Sequence, residues 1–297
     1  KMKYFHGENK AGPYFEGWYL KHQSKDGRAL ALIPALHIDS GGRSSASLQV
    51  ISGSMSWWLE YPIRQLHASQ DRFSVRLGAS RFNRQGMVVN LCQDGLSLKG
   101  TLAYGPFTPL ASDIMGPFRL LAGMQCSHGV ISMGHSLTGQ LTLNGEVSDF
   151  TGGRGYIETD RGRSFPEAYL WTQCAWEGTA SASLMLAAAT VPLPVGSFTG
   201  CICVVLYNGK EYHLATYRGA KIERWSPAMI AVRQGSYRLI AKLQKASSQP
   251  LQAPVEGSMR RTIRESLCAE VRYCFWKGQE LLFRHTDRCA SFEYSRR

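Results

Sequence analysis

The chain contains 297 residues, of which 44% are hydrophobic and 19% are charged. This composition excludes a disordered chain, because enough apolar side chains are present to offset the conformational entropy lost on folding. A chain of this length is longer than one ordinary hydrophobic core usually serves, so we expect two domains.

The charge is strongly positive, since 34 lysines and arginines stand against 22 acidic residues and give a formal net charge of +12. Such a charge suits a nucleic acid, an anionic membrane surface or an acidic ligand. The basic residues are scattered, and even Arg260-Arg261 with Arg264 falls short of a basic run. No motif of a nucleic-acid-binding module accompanies them. We therefore expect no nucleic acid partner, while peripheral contact with a membrane stays open.

No segment of the sequence has the pattern of a membrane helix. Residues 178–209 include no charged residue, but Pro192 and Pro194 divide them into two short apolar pieces. This pattern predicts two strands joined by a Pro-rich turn, rather than a helix of about 20 apolar residues. The eight cysteines form no CxxC pair, which is typical of buried thiols in a reducing compartment. We therefore predict a cytoplasmic protein.

Short runs rich in aromatic and β-branched residues, separated by turn residues, predict antiparallel strands throughout the chain. In the first half the predicted strands are Tyr14–His22, Ala29–His37, Ser45–Ile51, Trp57–Tyr61, Phe73–Leu77, Val88–Gln93, Leu96–Tyr104, Gly129–Met133 and Ser136–Leu143. In the second half they are Gly155–Glu158, Ala168–Ala175, Ser183–Thr190, Cys201–Tyr207, Lys210–Arg218, Ala228–Arg233, Tyr237–Leu243, Glu270–Trp276 and Gln279–Phe283. The dipeptides Asp26-Gly27, Asn144-Gly145 and Asn208-Gly209 predict hairpin turns.

Helical periodicity is weak, and the best helix candidate is Met259–Cys268. The polar, Pro-containing segment Ser247–Pro254 predicts an exposed loop. Gly152-Gly153-Arg154-Gly155 marks a break, which places a domain boundary near residue 150. The predicted fold is all-β and mainly antiparallel, with a β-sandwich or lipocalin-like domain at residues 1–149 and a lipocalin-like β-barrel domain at residues 150–297.

The segment from Gly155 to Gln173 is the best candidate for chemistry. Residues two apart on a strand share a face, so Tyr156, Glu158 and Asp160 point together. Carboxylates beside aromatic rings suit the protonation of an olefin, because an apolar site raises the pKa of the acid and aromatic faces stabilise positive charge. The alternative is structural: both carboxylates pair with neighbouring arginines at a domain junction, the candidates being Arg154, Arg161 and Arg163.

A second aromatic segment with a carboxylate begins at Pro13. On a strand, Glu16 and Trp18 share one face, whereas Phe15 and Tyr19 lie on the other. Either this segment lines a binding site or its aromatic side chains cap one end of a barrel.

Histidines supply a further candidate group, since His128 and His135 can act as a base or a ligand. The motifs HxxxH, HExxH and paired CxxC are absent, so the sequence predicts no metal site and favours ordinary hydrogen-bonded histidines. A GxSxG elbow, a phosphate-binding loop and a GxGxxG fingerprint are also absent, and hydrolase or nucleotide-dependent chemistry has no support.

One long run, Asp149-Phe150-Thr151-Gly152-Gly153-Arg154-Gly155-Tyr156-Ile157-Glu158, resembles the signature of the tocopherol cyclase family. The likeness spans roughly residues 13 to 293. It includes Phe15-Glu16-Gly17-Trp18-Tyr19, Gly116-Pro117-Phe118, His128, His135-Ser136-Leu137, Asp160, Gly162, Ser164-Phe165-Pro166, Trp171, Ala253-Pro254, Gly257-Ser258-Met259 and Glu265-Ser266.

This resemblance implies tandem lipocalin-like or sandwich-like β domains, akin to carotenoid hydratases and lipocalin-like Diels–Alderases. In the plant members, an acid protonates a prenyl double bond and a phenol oxygen attacks the resulting cation, which closes a chroman ring without a cofactor. Carried over to this chain, the catalytic candidates are Glu158, Asp160, Tyr156 and His128. The substrate-binding candidates are Trp18, Glu16, Tyr169, Trp171, Gln173 and Arg161.

The chain departs from the family pattern at Thr159-Asp160-Arg161-Gly162, where plant cyclases have Lys-Asp-Trp-Gly. An arginine paired with Glu158 or Asp160 would keep that carboxylate ionised and unsuited to act as an acid. Three hypotheses therefore stand. The first is a cofactor-independent enzyme that acts on a prenylated or polyene substrate by cyclisation, hydration or pericyclic ring closure. The second is a non-catalytic carrier of a hydrophobic small molecule. A third is an interaction protein whose basic surface engages anionic lipid head groups. The oligomeric state stays open.

Overall fold

The computed structural model describes residues 3–120, 124–177, 182–192 and 196–296. The regular elements of these residues are β-strands and three short 3-10 helices, at Ile63–Gln65, Gly116–Leu120 and Thr216–Arg218. The strands are β1 (Tyr14–Gln23), β2 (Ala29–Ile38), β3 (Ser44–Ser52), β4 (Ser56–Pro62), β5 (Leu66–Ala68), β6 (Ser74–Leu77), β7 (Ser80–Asn83), β8 (Gly86–Gln93), β9 (Leu96–Tyr104), β10 (Cys126–Leu143), β11 (Glu146–Asp149), β12 (Arg154–Gly162), β13 (Ala168–Trp176), β14 (Ala182–Pro192), β15 (Ser197–Tyr207), β16 (Lys210–Ala215), β17 (Lys221–Ser226), β18 (Met229–Gln234), β19 (Tyr237–Lys245), β20 (Gln249–Val255), β21 (Ser258–Lys277) and β22 (Glu280–Arg296).

The chain divides into two compact units. Unit 1 comprises residues 1–109, 126–165 and 251–262, and unit 2 comprises residues 110–125, 166–250 and 263–297. The all-β, mainly antiparallel fold class predicted from the sequence is confirmed. Strand β12, which follows the predicted boundary near residue 150, pairs with β1. The predicted domains, 1–149 and 150–297, stay predictions.

Unit 1 is built on a sheet with the strand order β4-β3-β2-β1-β12-β10-β9-β8-β7-β6-β5, to which β11 adds beside β10. The long strand β10 pairs with β12 through its first half and with β9 through its second. Burial alternates along β8 and β9, as expected for strands with one face on a core, whereas β1, β2 and the middle of β12 are buried on both faces. In β8, for example, Met87, Val89 and Leu91 are buried, and the residues between them are exposed. The core of the unit also includes Trp18 and Ile157.

Unit 2 is built on a sheet with the strand order β16-β15-β14-β13-β22-β21-β19-β18-β17. Strand β20 pairs with β21, but residues 251–255 of β20 belong to unit 1. Its core gathers alternate residues of these strands, among them Leu186, Val205, Leu239 and Tyr273, all fully buried. Within the described residues, both sheets end in open edge strands, so no ladder closes either of them into the predicted barrel.

The predicted hairpins at Asn144-Gly145 and Asn208-Gly209 are confirmed. Each pair has two positive φ angles, 49° and 88° in the first and 50° and 71° in the second. These angles match the twist of the flanking strands, which is why Asn-Gly is favoured there. The strands Ala182–Pro192 and Ser197–Tyr207 also pair as predicted, and Pro194 lies outside the described residues. None of the described helices is long and apolar enough to cross a membrane.

Two local predictions were wrong. Met259–Cys268 belongs to β21 rather than to a helix, because its apolar residues continue the alternation that leads to Val271. Ser247–Pro254 is not an exposed loop but contains most of β20. The side chain of Gln49 holds this strand: the Gln252 N–H donates to Gln49 Oε1 at 2.8 Å, and Gln49 Nε2 donates to the Gln252 carbonyl at 2.9 Å.

Two buried histidines flank Gly155 in unit 1. His22 of β1 and His135 of β10 are both paired with Gly155 of β12. A Cβ atom at Gly155 would lie 2.1 Å from His135 Nε2, so the glycine leaves room for the imidazole. The hydroxyl of Tyr104 lies 2.6 Å from His22 Nε2, and its ring centroid lies 4.6 Å from that of His135. Burial lowers the pKa of His22 to about 4 and that of His135 to about 3.

We expect these histidines to make the stability of the protein depend on pH. They are neutral in the fold and regain their usual pKa near 6.5 on unfolding, so the unfolded chain takes up protons first as the pH falls. The free energy of unfolding is then highest above pH 6.5 and falls between pH 6.5 and about 3, the folded-state pKa of His135. A shift the size of that of His22 corresponds to about 3 kcal/mol.

Urea unfolding at several pH values between 7.5 and 4.5 measures this dependence. The variant His22→Gln should reduce the slope of stability against pH, because it removes one of the two buried histidines. Equal slopes in the variant and the wild type would contradict the assignment.

Candidate active site

The candidate site lies on one face of the unit 1 sheet, where β1, β12 and β10 run side by side. Directly opposite residues of an antiparallel pair share a face. His128 of β10 is opposite Asp160 of β12, and Tyr19 of β1 is opposite Glu158. Because side chains alternate along β12, Tyr156 also projects from this face. The four catalytic candidates are therefore brought together.

Tyr156, Glu158, His128 and Asp160 form a continuous chain of polar contacts, which we call the acid cluster. The Tyr156 hydroxyl donates to Glu158 Oε2 at 2.5 Å. His128 Nε2 lies 3.3 Å from the same oxygen, and His128 Nδ1 lies 2.9 Å from Asp160 Oδ1. The side chains of Glu158 and His128 are only 5% and 10% exposed, whereas that of Asp160 is 23% exposed. The cluster thus reaches solvent mainly through Asp160.

Burial and mutual attraction set the protonation of the cluster. Burial alone would lower the pKa of His128, but the carboxylates of Glu158 and Asp160 outweigh it and raise that pKa well above 6.5. Burial also raises the pKa of Glu158, while the neighbouring His128 limits the rise. Burial and the Glu158 carboxylate together raise the pKa of Tyr156, so its phenol keeps the proton that it donates.

These shifts favour one particular charge state. An imidazolium between two carboxylates leaves one net negative charge in a buried place, and one more proton removes that charge. Because burial raises the pKa of Glu158, we assign this additional proton to the Glu158 carboxyl group.

Three further residues, which the sequence did not indicate as site residues, lie next to the carboxylates of the acid cluster. Tyr19, which is 7% exposed, lies opposite Glu158, and Gly17, opposite Asp160, adds no side chain on that face. The Cys126 thiol lies 3.8 Å from Asp160 Oδ1, and burial together with that carboxylate raises its pKa well above the usual value. Only the strand register reveals these neighbours, and the register is not visible in the sequence.

Three substrate-binding candidates lie on the opposite face of the same strands. Trp18 is opposite Thr159, and Glu16 is opposite Arg161, so all of these side chains point away from Glu158. Trp18 is 1% exposed within the core of unit 1. Glu16 accepts hydrogen bonds from the Tyr14 hydroxyl at 2.9 Å and from the His6 N–H at 2.8 Å.

The sequence left open whether neighbouring arginines pair with the two carboxylates. In the described residues, the ion pairs of Glu158 and Asp160 are with His128. Arg163 pairs instead with Glu256 at 2.6 Å. Within the described residues, Arg161, where the chain departs from the plant motif, therefore forms no ion pair with Glu158 or Asp160.

The remaining candidates, Tyr169, Trp171 and Gln173, belong to unit 2. They project from one face of β13 and are 7%, 7% and 1% exposed. Trp171 is opposite Glu293 in the pairing of β13 with β22, and the Tyr169 hydroxyl donates to Glu293. Glu293 is in turn opposite Glu265, which is 1% exposed. Unit 2 thus has its own buried group of carboxyl and aromatic side chains, and the sequence revealed only its aromatic part.

The acid cluster also contains the atoms of a conceivable metal site. His128, Glu158 and Asp160 each offer one ligand atom, and these atoms lie within 4.8 Å of one another. Nitrogen and carboxylate oxygen are ligands for several divalent cations. However, the two imidazole nitrogens face different carboxylates, so one ion bound to all three residues requires a side chain to move. The absence of a metal site stays a prediction.

A family model described as tocopherol cyclase-like matches residues 120–294, which is more than half of the chain. The chain belongs to the tocopherol cyclase-like family. The family predicted from the run Asp149 to Glu158 is therefore confirmed. The matched region contains every member of the acid cluster, but it does not include β1 to β9. No curated protein matches the chain.

Two solved structures resemble the chain over nearly its whole length. An AttH-type protein from Nitrosomonas europaea has a TM-score of 0.56 at 14% identity, with 95% of this chain and 92% of that chain covered. Kievitone hydratase from Nectria haematococca has a TM-score of 0.54 at 9% identity, with 98% and 93% covered. At such low identity the likeness shows a shared fold.

We expect the variant Asp160→Asn to lower the pKa of His128, because it removes one of the two carboxylates that stabilise the imidazolium. Nuclear magnetic resonance of the histidine side chains against pH measures this change. In the wild type, His128 should remain protonated well above pH 6.5. A wild-type His128 that titrates near the usual histidine pKa of about 6.5 would contradict the described charge state.

Proposed function

We propose that this protein is a cyclase-type or hydratase-type enzyme that adds an oxygen nucleophile to a carbon–carbon double bond, with Glu158 as the acid. The observation that carries the proposal is the acid cluster, in which the Glu158 carboxyl group, whose pKa is raised by burial, lies between the Tyr156 phenol and the His128 imidazole. Membership in the tocopherol cyclase-like family supports this class of reaction.

In the proposed reaction, Glu158 transfers its proton to one carbon of the double bond, and a carbocation forms at the more substituted carbon. A hydroxyl oxygen then attacks the cation. If the hydroxyl belongs to the substrate, a ring closes and the reaction is an isomerisation, and if it belongs to water, the product is an alcohol. The proton that this oxygen loses restores the acid form of Glu158.

The neighbours of Glu158 support both halves of this cycle. After proton transfer, the Glu158 carboxylate faces the His128 imidazolium 3.3 Å away and accepts the Tyr156 hydrogen bond at 2.5 Å. Both contacts stabilise the ionised form that the reaction generates. Asp160 holds the other side of the imidazole, so His128 keeps its orientation.

The chemistry also indicates the class of substrate and the need for cofactors. Protonation of an alkene succeeds where the cation is tertiary, as in prenylated compounds and polyenes, so we propose a hydrophobic substrate of this class. The steps require no electron transfer and no group donor other than water, which supports a cofactor-independent reaction. Tyr169, Trp171 and Gln173 stay predictions as substrate-binding residues.

The variant Glu158→Gln tests the role of the acid, because glutamine keeps the shape of the side chain and lacks the transferable proton. We expect it to lose at least 100-fold in turnover, the usual range for a general acid. The probes are a prenylated hydroquinone and a linear polyene, incubated in deuterium oxide. Mass spectrometry should find one deuterium bound to carbon in the wild-type product.

Asp287→Asn is the matched control. Asp287 is also a buried carboxylate beside a histidine, since its Oδ2 lies 3.4 Å from His285 Nε2, but it belongs to unit 2. A correctly folded Asp287→Asn variant should keep its turnover within about threefold of the wild type. Probes that bind the wild type and remain unchanged would establish a carrier instead. Equal losses in both variants would remove the special role of Glu158.

A further inference from the structure

One side of the unit 2 sheet is dominated by positive charge. Strands β17, β18, β19, β21 and β22 follow one another in this sheet, and their residues alternate between the core and the outer side. Several cations project from the outer side, among them Lys221, which is opposite Arg233, and Lys245, which is opposite Glu270. We define the basic face by seven others, all of them exposed except Arg238: Arg224, Arg233, Arg238, Lys242, Arg272, Arg284 and Arg288.

Part of this charge is not compensated within the described residues. Glu223 pairs with Arg233 at 2.5 Å and with Arg238 at 2.7 Å, and Glu270 lies 3.6 Å from Arg288. In the described chain, no carboxylate lies within ion-pair distance of the other four cations, which are Arg224, Lys242, Arg272 and Arg284.

The strand register even places like charges together. Lys242 of β19 is directly opposite Arg272 of β21, and Arg284 is opposite Cys274, the next residue of β21 on the same side. Like charges at opposite positions of a sheet destabilise it. An external anion that bridges these side chains would remove the repulsion.

Apolar side chains lie among these cations. Ile240 lies between Arg238 and Lys242 on the outer side of β19, and Trp276 is opposite Leu281, which is 41% exposed. The guanidinium of Arg238 lies 5.9 Å from the Trp276 ring centroid. A tryptophan and aliphatic side chains surrounded by cations suit the boundary between lipid head groups and acyl chains.

We propose that the basic face docks onto the head groups of an anionic lipid bilayer. The charge complementarity is direct, and a basic side chain close to such a surface strengthens binding about fivefold. A single-stranded nucleic acid would instead require several aromatic side chains on which successive bases stack, and the face offers one, Trp276. Docking of this kind does not depend on the acid cluster and would bring the protein to the place where hydrophobic substrates accumulate.

Vesicle sedimentation tests the proposal with the full chain. The vesicles consist either of phosphatidylcholine alone or of phosphatidylcholine with 30% phosphatidylglycerol, at low salt and at about 1 M salt, where the screening length is about 3 Å. We expect binding only to the anionic vesicles at low salt. The variant K242Q/R272Q/R284Q should bind about 100-fold more weakly, because three contributions of about fivefold are lost.

The matched control is K99Q/R76Q/R81Q, which removes the same charge from exposed positions of unit 1. This variant should bind within about twofold of the wild type. An equal loss in the control would mean that net charge alone drives binding and would overturn the proposal. Equal binding to neutral vesicles, or binding to a short oligonucleotide that excludes the vesicles, would overturn it as well.

Discussion

The pairing of β12 with β1 on one side and with β10 on the other is the constraint on which the candidate site depends. Side chains alternate with a period of two, so a slip of one residue would exchange Glu158 for its neighbours and turn it toward the core. Two features oppose such a slip. Gly155 is the residue that leaves space for the His135 ring, and Ile157 is fully buried in the core of unit 1. The motif glycine thus supports the site indirectly, through packing on the other face.

The chemistry of the acid cluster depends on the number and sign of the charges that are buried together. Glu158 with a single cationic partner would form an ordinary ion pair and hold no spare proton. Because His128 is shared with Asp160, one imidazolium faces two carboxylates, and burial favours an additional proton on the pair. The acid therefore arises from sharing one histidine between two acids. An arginine in place of His128 would always remain protonated. It could donate hydrogen bonds to the carboxylates but could not transfer a proton.

The sequence predicted the strands, two Asn-Gly hairpins, the family and the four residues of the acid cluster, because these depend on local patterns and on one long motif. It did not predict on which side of the sheet the aromatic residues of β1 lie relative to Glu158. Glu16 and Trp18 do share a face, as expected, but Tyr19 is the residue opposite Glu158. That choice depends on the register between strands about 140 residues apart in the chain, which no local pattern records. The same holds for β20, whose prolines suggested a loop and whose position depends on the distant Gln49.

A comparison of the two buried glutamates shows why local sequence is a weak guide to reactivity. Glu16 and Glu158 each follow a tyrosine by two residues, accept its hydrogen bond and lie beside a histidine, His6 or His128. Glu16 also accepts the backbone N–H of His6, so its oxygens serve to fix the N-terminal segment of unit 1. Glu158 has no such backbone donor among its described contacts and shares its histidine with a second acid. The same three residue types therefore form a structural anchor on one face of the sheet and, on the other face, surround the carboxyl group that we propose as the acid.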